Sequence, residues 1–254
     1  MSSEPIPTHV PVLDDAALAA KIEPFDSFWE GPSDIEKGYR TVYEFYRHNY
    51  LPSVPADRDA RILVVSCGPG YFVDMLARHG YRNVEGIDSD PEKVAHARKR
   101  DLDCKVARAF AYLADRPGQY RAIFCEQELN HLTKDEIVAW LRLCDRALEP
   151  GGTLIVHGLN GANPITGAEA LAQNFDHYNT VTEYTLRQVL DHVGFKSIEV
   201  KPLHLYVFYK NPFNYVAWAA SSFLSLVFRA LFVLYGKENK FFTKKIAAVC
   251  RKPS

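Results

Sequence analysis

The chain has 254 residues, 47% of them hydrophobic, and its 30 basic and 31 acidic residues give a formal net charge of -1. This length can form one α/β domain with a substantial core, and the balanced charge lacks the basic excess that binds a phosphate backbone. We therefore expect no nucleic-acid partner. The five cysteines include no CxxC pair and indicate buried thiols in a reducing cytoplasm.

Residues 1–54 are predicted to be a leader followed by a helical lid over the main domain, which comprises residues 55–254. The first 15 residues lack the basic start and apolar stretch of a signal peptide, so we expect no export signal. Apolar residues at helical spacing, from Ile35 to Tyr50, predict a helix that stops before Pro52.

From Arg61 onward, short apolar strands alternate with helices, which predicts a parallel sheet. The predicted strands are residues 61–66, 83–87, 103–107, 121–125, 153–158, 196–201 and 245–250. The predicted helices are residues 70–79, a helix from Pro91 onward, 134–147 and 183–193. Ser89 with Glu92, and Thr133 with Glu136, have the spacing of helix caps.

The first strand runs into a glycine-bearing turn, VVSCGPGYF, which re-enters a helix. Glycine lets the backbone press against a ligand, and the free N–H groups of the helix face whatever binds there. Asp88 ends the next strand, where an acid can accept hydrogen bonds from a ribose diol. Val73 replaces the third glycine of the dinucleotide fingerprint, and the Walker phosphate loop is missing. A nucleoside-like cofactor is indicated, with tight strand-to-helix packing as the alternative.

Two further segments follow in order: LEPGGTL before the fifth strand, and YTLRQVLDHVGF before the sixth. Together with the glycine turn and Asp88, they make the chain similar to class I methyltransferases. The resemblance implies a Rossmann-like seven-stranded sheet whose last strand is antiparallel and lies beside the fifth, with S-adenosylmethionine across the carboxyl ends of the first strands. The cofactor-binding residues expected from it are Ser66, Cys67, Gly68, Gly70, Asp88, Ser89 and Glu126. Val64, Ser66 and Arg108 depart from the family pattern.

Methyl transfer requires an aligned acceptor, and a hydroxyl acceptor also requires a base. His131 in CEQELNHL is the predicted base, because imidazole titrates near neutral pH; the alternative is a role in starting the next helix. Glu126 and Glu128 could instead bind a cationic acceptor. The residues expected to contact the acceptor are His157, Asn160, Asn163 and Tyr178, although asparagines in such a loop also serve turns. No metal-ligand spacing is present, so we expect no metal site.

An apolar insertion, residues 204–242, lies between the sixth and last strands. It contains 20 residues, Val216 to Tyr235, with one charge, Arg229, which is long enough to span a bilayer. A single membrane crossing would leave the sixth and last strands, which belong to the same sheet, on opposite sides of the bilayer. We therefore expect no transmembrane helix here. The remaining alternatives are an interfacial helix at 213–236 on the inner membrane face, a wall over the acceptor site, a homodimer surface, and packing within its own domain.

The insertion and the loop LNGANP, Leu159 to Pro164, resemble bacterial methyltransferases of surface polysaccharide assembly. That resemblance implies O-methylation of a sugar hydroxyl on a glycan or glycan precursor, in the cytoplasm or at the inner membrane face. Two alternatives stay open. One is N- or carboxyl-methylation of a small molecule, and the other is a non-catalytic membrane- or partner-binding module with a degenerate cofactor site.

Overall fold

The protein is represented by a computed structural model that describes residues 32–125, 128–173, 177–207 and 211–254. These residues form an α/β fold around one seven-stranded sheet. The strands are β1 (Ile62–Val65), β2 (Val84–Asp88), β3 (Cys104–Val106), β4 (Tyr120–Cys125), β5 (Leu148–Leu159), β6 (Lys196–Pro202) and β7 (Lys245–Arg251). The helices are α1 (Pro32–Thr41), α2 (Tyr43–Asn49), α3 (Tyr71–Arg78), α4 (Pro91–Arg98), α5 (Ala109–Ala114), α6 (Lys134–Ala147), α7 (Thr166–Gln173), α8 (Glu183–Val193) and α9 (Phe213–Leu234).

The sheet has the strand order β3-β2-β1-β4-β5-β7-β6. The first five strands are parallel, whereas β7 is antiparallel to both of its neighbours, β5 and β6. The predicted seven strands and the antiparallel last strand beside the fifth are therefore confirmed. The strand order reverses between β1 and β4, and the carboxyl ends of the strands at such a reversal form a ligand-binding crevice.

Several local predictions differ from the structure. Asp90, not Ser89, caps α4: its Oδ1 accepts hydrogen bonds from the N–H groups of Glu92 at 2.8 Å and Lys93 at 3.3 Å. The reason is that Pro91 occupies the first helical position, which makes Asp90 the cap. The capping box of α6 is confirmed. The short helices α5 and α7 were not predicted, and the predicted N-terminal helix is divided into α1 and α2.

The core lies on both faces of the sheet, because the parallel strands are buried on both sides. One face packs against α6, whose Trp140 is fully buried. The other face packs against α2 and α3, where the ring of Phe72 stacks on Phe124 with centroids 3.9 Å apart. Tyr50, which follows α2, meets Phe124 edge-on at 4.8 Å. Helix α2 and the segment between it and β1 thus share a hydrophobic core with the sheet.

His157 lies near the carboxyl end of β5 and is fully buried. Its ring is nearly parallel to that of Tyr50, and its Nδ1 shares a hydrogen bond with the Tyr50 hydroxyl. Burial, together with the charge of Lys245, lowers the pKa of His157 well below the ordinary histidine value. His157 is therefore held neutral as part of the core.

We expect this burial to make the fold sensitive to acid. In the unfolded chain His157 regains an ordinary pKa of about 6.5, so below that pH the unfolded state binds the proton first. The free energy of unfolding should fall by up to about 1.4 kcal/mol per pH unit from this one group. Urea unfolding between neutral and acid pH measures it. His157→Phe should be less stable at neutral pH but have a shallower slope; an unchanged slope would contradict the assignment.

Candidate functional site

The turn after β1 lies at the carboxyl edge of the sheet, where the strand order reverses. Three of its residues have left-handed backbone conformations: Ser66 and Gly68 at φ +53° and Gly70 at φ +86°. A side chain disfavours this region, which explains why a glycine is expected where Ser66 stands. The turn is closed by a 2.9 Å hydrogen bond from the Gly70 N–H to the Cys67 carbonyl.

The two glycines of the turn have different surroundings. A Cβ at position 70 would lie 2.9 Å from Cδ1 of Leu102 and 3.0 Å from Cβ of Ala97, so Gly70 allows close packing beneath the turn. At Gly68, by contrast, no heavy atom of the described residues outside its chain neighbours lies within 4 Å of that position. Gly68 therefore faces open space, which a ligand can occupy.

Asp88, at the end of β2, is joined to this turn. Its Oδ2 accepts a 2.8 Å hydrogen bond from the Gly68 N–H, and its Oδ1 accepts one of 2.9 Å from the Asp90 N–H. Burial raises the pKa of the Asp88 carboxyl, and these two N–H donors partly offset that rise. A carboxylate offers about four lone-pair sites, so each oxygen retains capacity to accept a ribose hydroxyl. Ser89, half-buried, lies next in the chain.

Cys67 contributes to this edge through its backbone. Its side chain is buried, and Gly86 packs so closely that a Cβ at position 86 would lie 2.8 Å from the sulfur atoms of both Cys67 and Cys104. The hydrogen bond with Cys104 and burial raise the pKa of the Cys67 thiol well above its usual value. The thiol is therefore neutral and turned into the core.

Helix α1 covers the outer side of the turn, a role that helical spacing alone did not reveal. The Tyr39 hydroxyl donates to the Pro69 carbonyl, and the Tyr71 hydroxyl donates to the Ile35 carbonyl at 3.1 Å. Arg100 places its guanidinium over the Tyr39 ring, 3.8 Å from the centroid. These contacts fix the position of Pro69 between the two glycines.

The segment after β4 forms the opposite side of the edge. Glu126 lies outside the described residues, as does the side chain of Glu128. Asn130 is fully buried, and its side chain connects two segments: Nδ2 donates to the Asn179 carbonyl at 2.6 Å, and Oδ1 accepts from the Leu159 N–H at 3.3 Å. The end of β5 is thereby tied to the chain around residue 179.

His131 follows Asn130 and is only partly buried. Its ring meets that of His177 edge-on, with centroids 4.8 Å apart. His177 is buried, and its Nδ1 bonds the Ala170 carbonyl at 2.6 Å, which fixes Nδ1 as the donor. The sequence singled out His131 as the base, and the structure adds His177 as its ring neighbour.

The four residues predicted to contact the acceptor differ in how deeply they are buried. Asn160 and Asn163 are buried, and their amides donate to backbone carbonyls of residues 241–243, the segment between α9 and β7. His157 is covered by Tyr50, as described above. Their polar groups are thus engaged by the protein itself, which favours structural roles. Tyr178 is 47% exposed and remains available to an acceptor.

Among the described residues, no group of three or more His, Cys, Asp or Glu side chains is arranged to hold a metal ion. The arrangement instead combines a turn with open space, an oriented carboxylate and a partly exposed imidazole. The turn with Asp88 can hold a nucleoside by its ribose, and an imidazole such as that of His131 can accept a proton.

Comparison with known proteins identifies the domain that carries this site. Residues 62–152 match the family model of the methyltransferase domain. A "Ubiquinone biosynthesis O-methyltransferase" of Xanthomonas campestris pv. campestris (strain B100) is 34% identical over 138 residues, which are 50% of this chain and 56% of that protein. The chain thus spans about half the length of the curated relatives it matches. This relative is named for ubiquinone biosynthesis, not for polysaccharide assembly.

Solved structures support the same fold. A SAM-dependent methyltransferase from Archaeoglobus fulgidus superposes with a TM-score of 0.64 at 17% identity, covering 84% of this chain and 94% of that one. Phosphoethanolamine N-methyltransferase 2 of Haemonchus contortus, solved with S-adenosyl-L-methionine, gives a TM-score of 0.58 at 16% identity, covering 92% and 61%. Residues 62–152 are thus similar to the methyltransferase domain family, and the chain has the fold of class I S-adenosylmethionine-dependent methyltransferases.

Because the two glycines have different surroundings, we expect glycine-to-alanine substitutions to lower the free energy of unfolding by different amounts at the two positions. Gly70→Ala should destabilise the protein by about 2–4 kcal/mol, because backbone strain is combined with a clash in the core. Gly68→Ala should cost about 1–2 kcal/mol, because only the strain applies. Urea unfolding of the two variants measures the difference. Equal losses would contradict open space at Gly68.

Proposed function

We propose that this chain transfers a methyl group from S-adenosylmethionine to a hydroxyl oxygen of its acceptor. The observation that carries the proposal is the open space at Gly68 directly beside the oriented carboxylate of Asp88, at the carboxyl edge of a methyltransferase domain. When bound, the cofactor supplies an electrophilic methyl group on its sulfonium centre.

The residues of the first two strand ends would hold the cofactor. Asp88 would accept hydrogen bonds from the ribose hydroxyls, and Gly68 would let the backbone approach the ligand. Ser66 and Ser89 flank these two at the same edge, whereas Cys67 and Gly70 would act by shaping the turn from below. This division follows from the burial of the Cys67 side chain and the packing around Gly70.

His131 is the proposed general base for the acceptor hydroxyl. His131 is only partly buried, and the residue before it, Asn130, binds the Leu159 N–H at the end of β5. A neutral imidazole has one nitrogen that can accept a proton near neutral pH. His177 packs edge-on against this ring and would hold its orientation, while exposed Tyr178 would line the acceptor side.

The acceptor is proposed to carry a hydroxyl group, and the name of the relative at 34% identity, an O-methyltransferase, supports oxygen as the methylated atom. A sugar hydroxyl of a glycan or glycan precursor is the candidate from the sequence. An acceptor from ubiquinone biosynthesis is the second candidate, favoured by that relative. We place the reaction in the cytoplasm, at the inner membrane face if residues 213–236 contact lipid.

Removal of the Asp88 carboxylate should weaken cofactor binding. We expect calorimetry to show S-adenosylmethionine binding to the unaltered chain and an affinity about 10- to 100-fold lower in Asp88→Ala, because hydrogen bonds to a charged acceptor are lost. Asp90→Ala is the matched control: it loses the α4 cap but keeps the affinity within about threefold, at a stability cost of about 1 kcal/mol. No binding at millimolar cofactor would contradict both O-methylation and its enzymatic alternatives, and would favour a non-catalytic module.

Replacing His131, the proposed base, should distinguish methylation of a hydroxyl group from methylation of a nitrogen or carboxyl group. With labelled S-adenosylmethionine and a panel of phenolic and sugar acceptors, His131→Ala should lower kcat by about 10²- to 10⁴-fold and remove the acid limb of the pH profile. His192→Ala, an exposed histidine on α8, is the control and should behave like the unaltered chain. A nearly intact rate in His131→Ala would favour N- or carboxyl-methylation.

A further inference from the structure

Helix α9 presents an apolar side away from the described part of the domain. It has 22 residues, is by length and composition apolar enough to cross a membrane, and none of its residues is buried against the described part of the chain. Its partly covered side mixes polar and apolar residues: Asn214, Ala217, Ser221, Ser225, Val227, Phe228 and Phe232. Its outward residues are apolar and 63–81% exposed: Val216, Phe223, Leu226, Val233 and Leu234.

A helix on a water-exposed surface turns its apolar side toward the core and its polar side outward. In α9 the side toward the domain is only partly covered, and the side that faces away from it carries the large apolar side chains named above. Monomeric soluble proteins rarely expose large continuous apolar surfaces, and such surfaces mark interaction sites. The outward side of α9 therefore requires an apolar partner.

The connections of α9 exclude a single membrane crossing. The chain leaves the sheet and returns to it at the same place, because the Leu203 N–H donates to the Lys245 carbonyl at 3.1 Å. Both ends of the helix also contact the domain: Nδ2 of Asn214 donates to the Val207 carbonyl at 3.2 Å, and Phe232 meets Phe242 at 4.7 Å. After a single crossing, the chain could return to the sheet only by passing non-helical backbone through the hydrocarbon layer. The polar groups of that backbone would then have no hydrogen-bond partners. The helix must lie along its partner.

Charge distinguishes a lipid surface from a second copy of the chain. Helix α9 has no acidic residue, and its exposed Arg229 is followed by four lysines and one acid, Glu238, over residues 235–245. A symmetric pair of copies would bring these basic groups together, whereas anionic head groups would neutralise them. Trp218 near one end of the helix and Tyr235 after the other are exposed, and such aromatic side chains favour the head-group region.

We propose that α9 binds in the plane of an anionic membrane, with its outward apolar side in the lipid. The segment that follows α9 is fastened to the end of β5, because Asn160 and Asn163 bind carbonyls of residues 241–243. Binding thus brings the carboxyl edge of the sheet, with His131, close to the lipid. Resting on the proposed function, the acceptor class that this geometry favours is a hydroxyl compound with a lipid-embedded part.

Co-sedimentation of the full chain with phosphatidylcholine vesicles, with and without phosphatidylglycerol, tests the proposal. We expect binding to the anionic vesicles and weak binding to the neutral ones. Phe223→Glu with Leu226→Glu should lower binding at least about tenfold, because two large apolar side chains no longer enter the lipid. The control carries the same added charge on the opposite edge of the sheet, Ala95→Glu with Ala111→Glu, and should bind like the unaltered chain.

Thermal unfolding of both double variants should match that of the unaltered chain, since the substituted side chains are exposed. Undiminished binding by the α9 variant, or no binding of the unaltered chain to anionic vesicles, would overturn the proposal. A stable dimer without lipid that only the α9 variant loses would also overturn it, in favour of a second copy. Vesicle binding without S-adenosylmethionine binding would uphold the membrane surface and contradict the proposed function.

Discussion

The hydrogen bond from the Gly68 N–H to the Asp88 carboxylate joins the ends of β1 and β2 and fixes the geometry of the site. A carboxylate in this half-buried position is costly unless donors stabilise it, and here two backbone N–H groups do so. The same bond holds the left-handed turn in place on the side where no described residue packs against Gly68. The cofactor side of the site therefore depends on backbone geometry more than on side chains.

The two sides of the candidate site differ in construction. The cofactor side is closely packed: it combines buried strand ends, the contacts beneath Gly70 and the hydrogen bond from the Tyr39 hydroxyl to the Pro69 carbonyl. The acceptor side consists of short segments that meet around Asn130. A fold that keeps its cofactor side constant while varying its loops can serve many acceptors, which is why the acceptor is harder to infer than the cofactor.

The sheet could be predicted from the sequence because apolar strands and amphipathic helices alternate with clear stops, and all seven predicted strands form. The roles of Asn160 and Asn163 could not be predicted. Their partners are carbonyls about 80 residues away along the chain, and a loop asparagine that binds such a carbonyl looks in sequence like one that binds a ligand. The burial of His157 could not be predicted either, because nothing in the sequence around this strand end indicates that Tyr50 covers the histidine. The apolar character of α9 was evident from the sequence, but which of its apolar side chains face away from the domain was not.

The burial of all five cysteines has a practical consequence. Thiol-reactive dyes and spin labels attack exposed thiolates, and here all five cysteine side chains are buried. A single cysteine introduced on the outward side of α9 would be the only readily accessible thiol. Its spectroscopic probe would report the polarity and depth of that surface without background signal from the native chain.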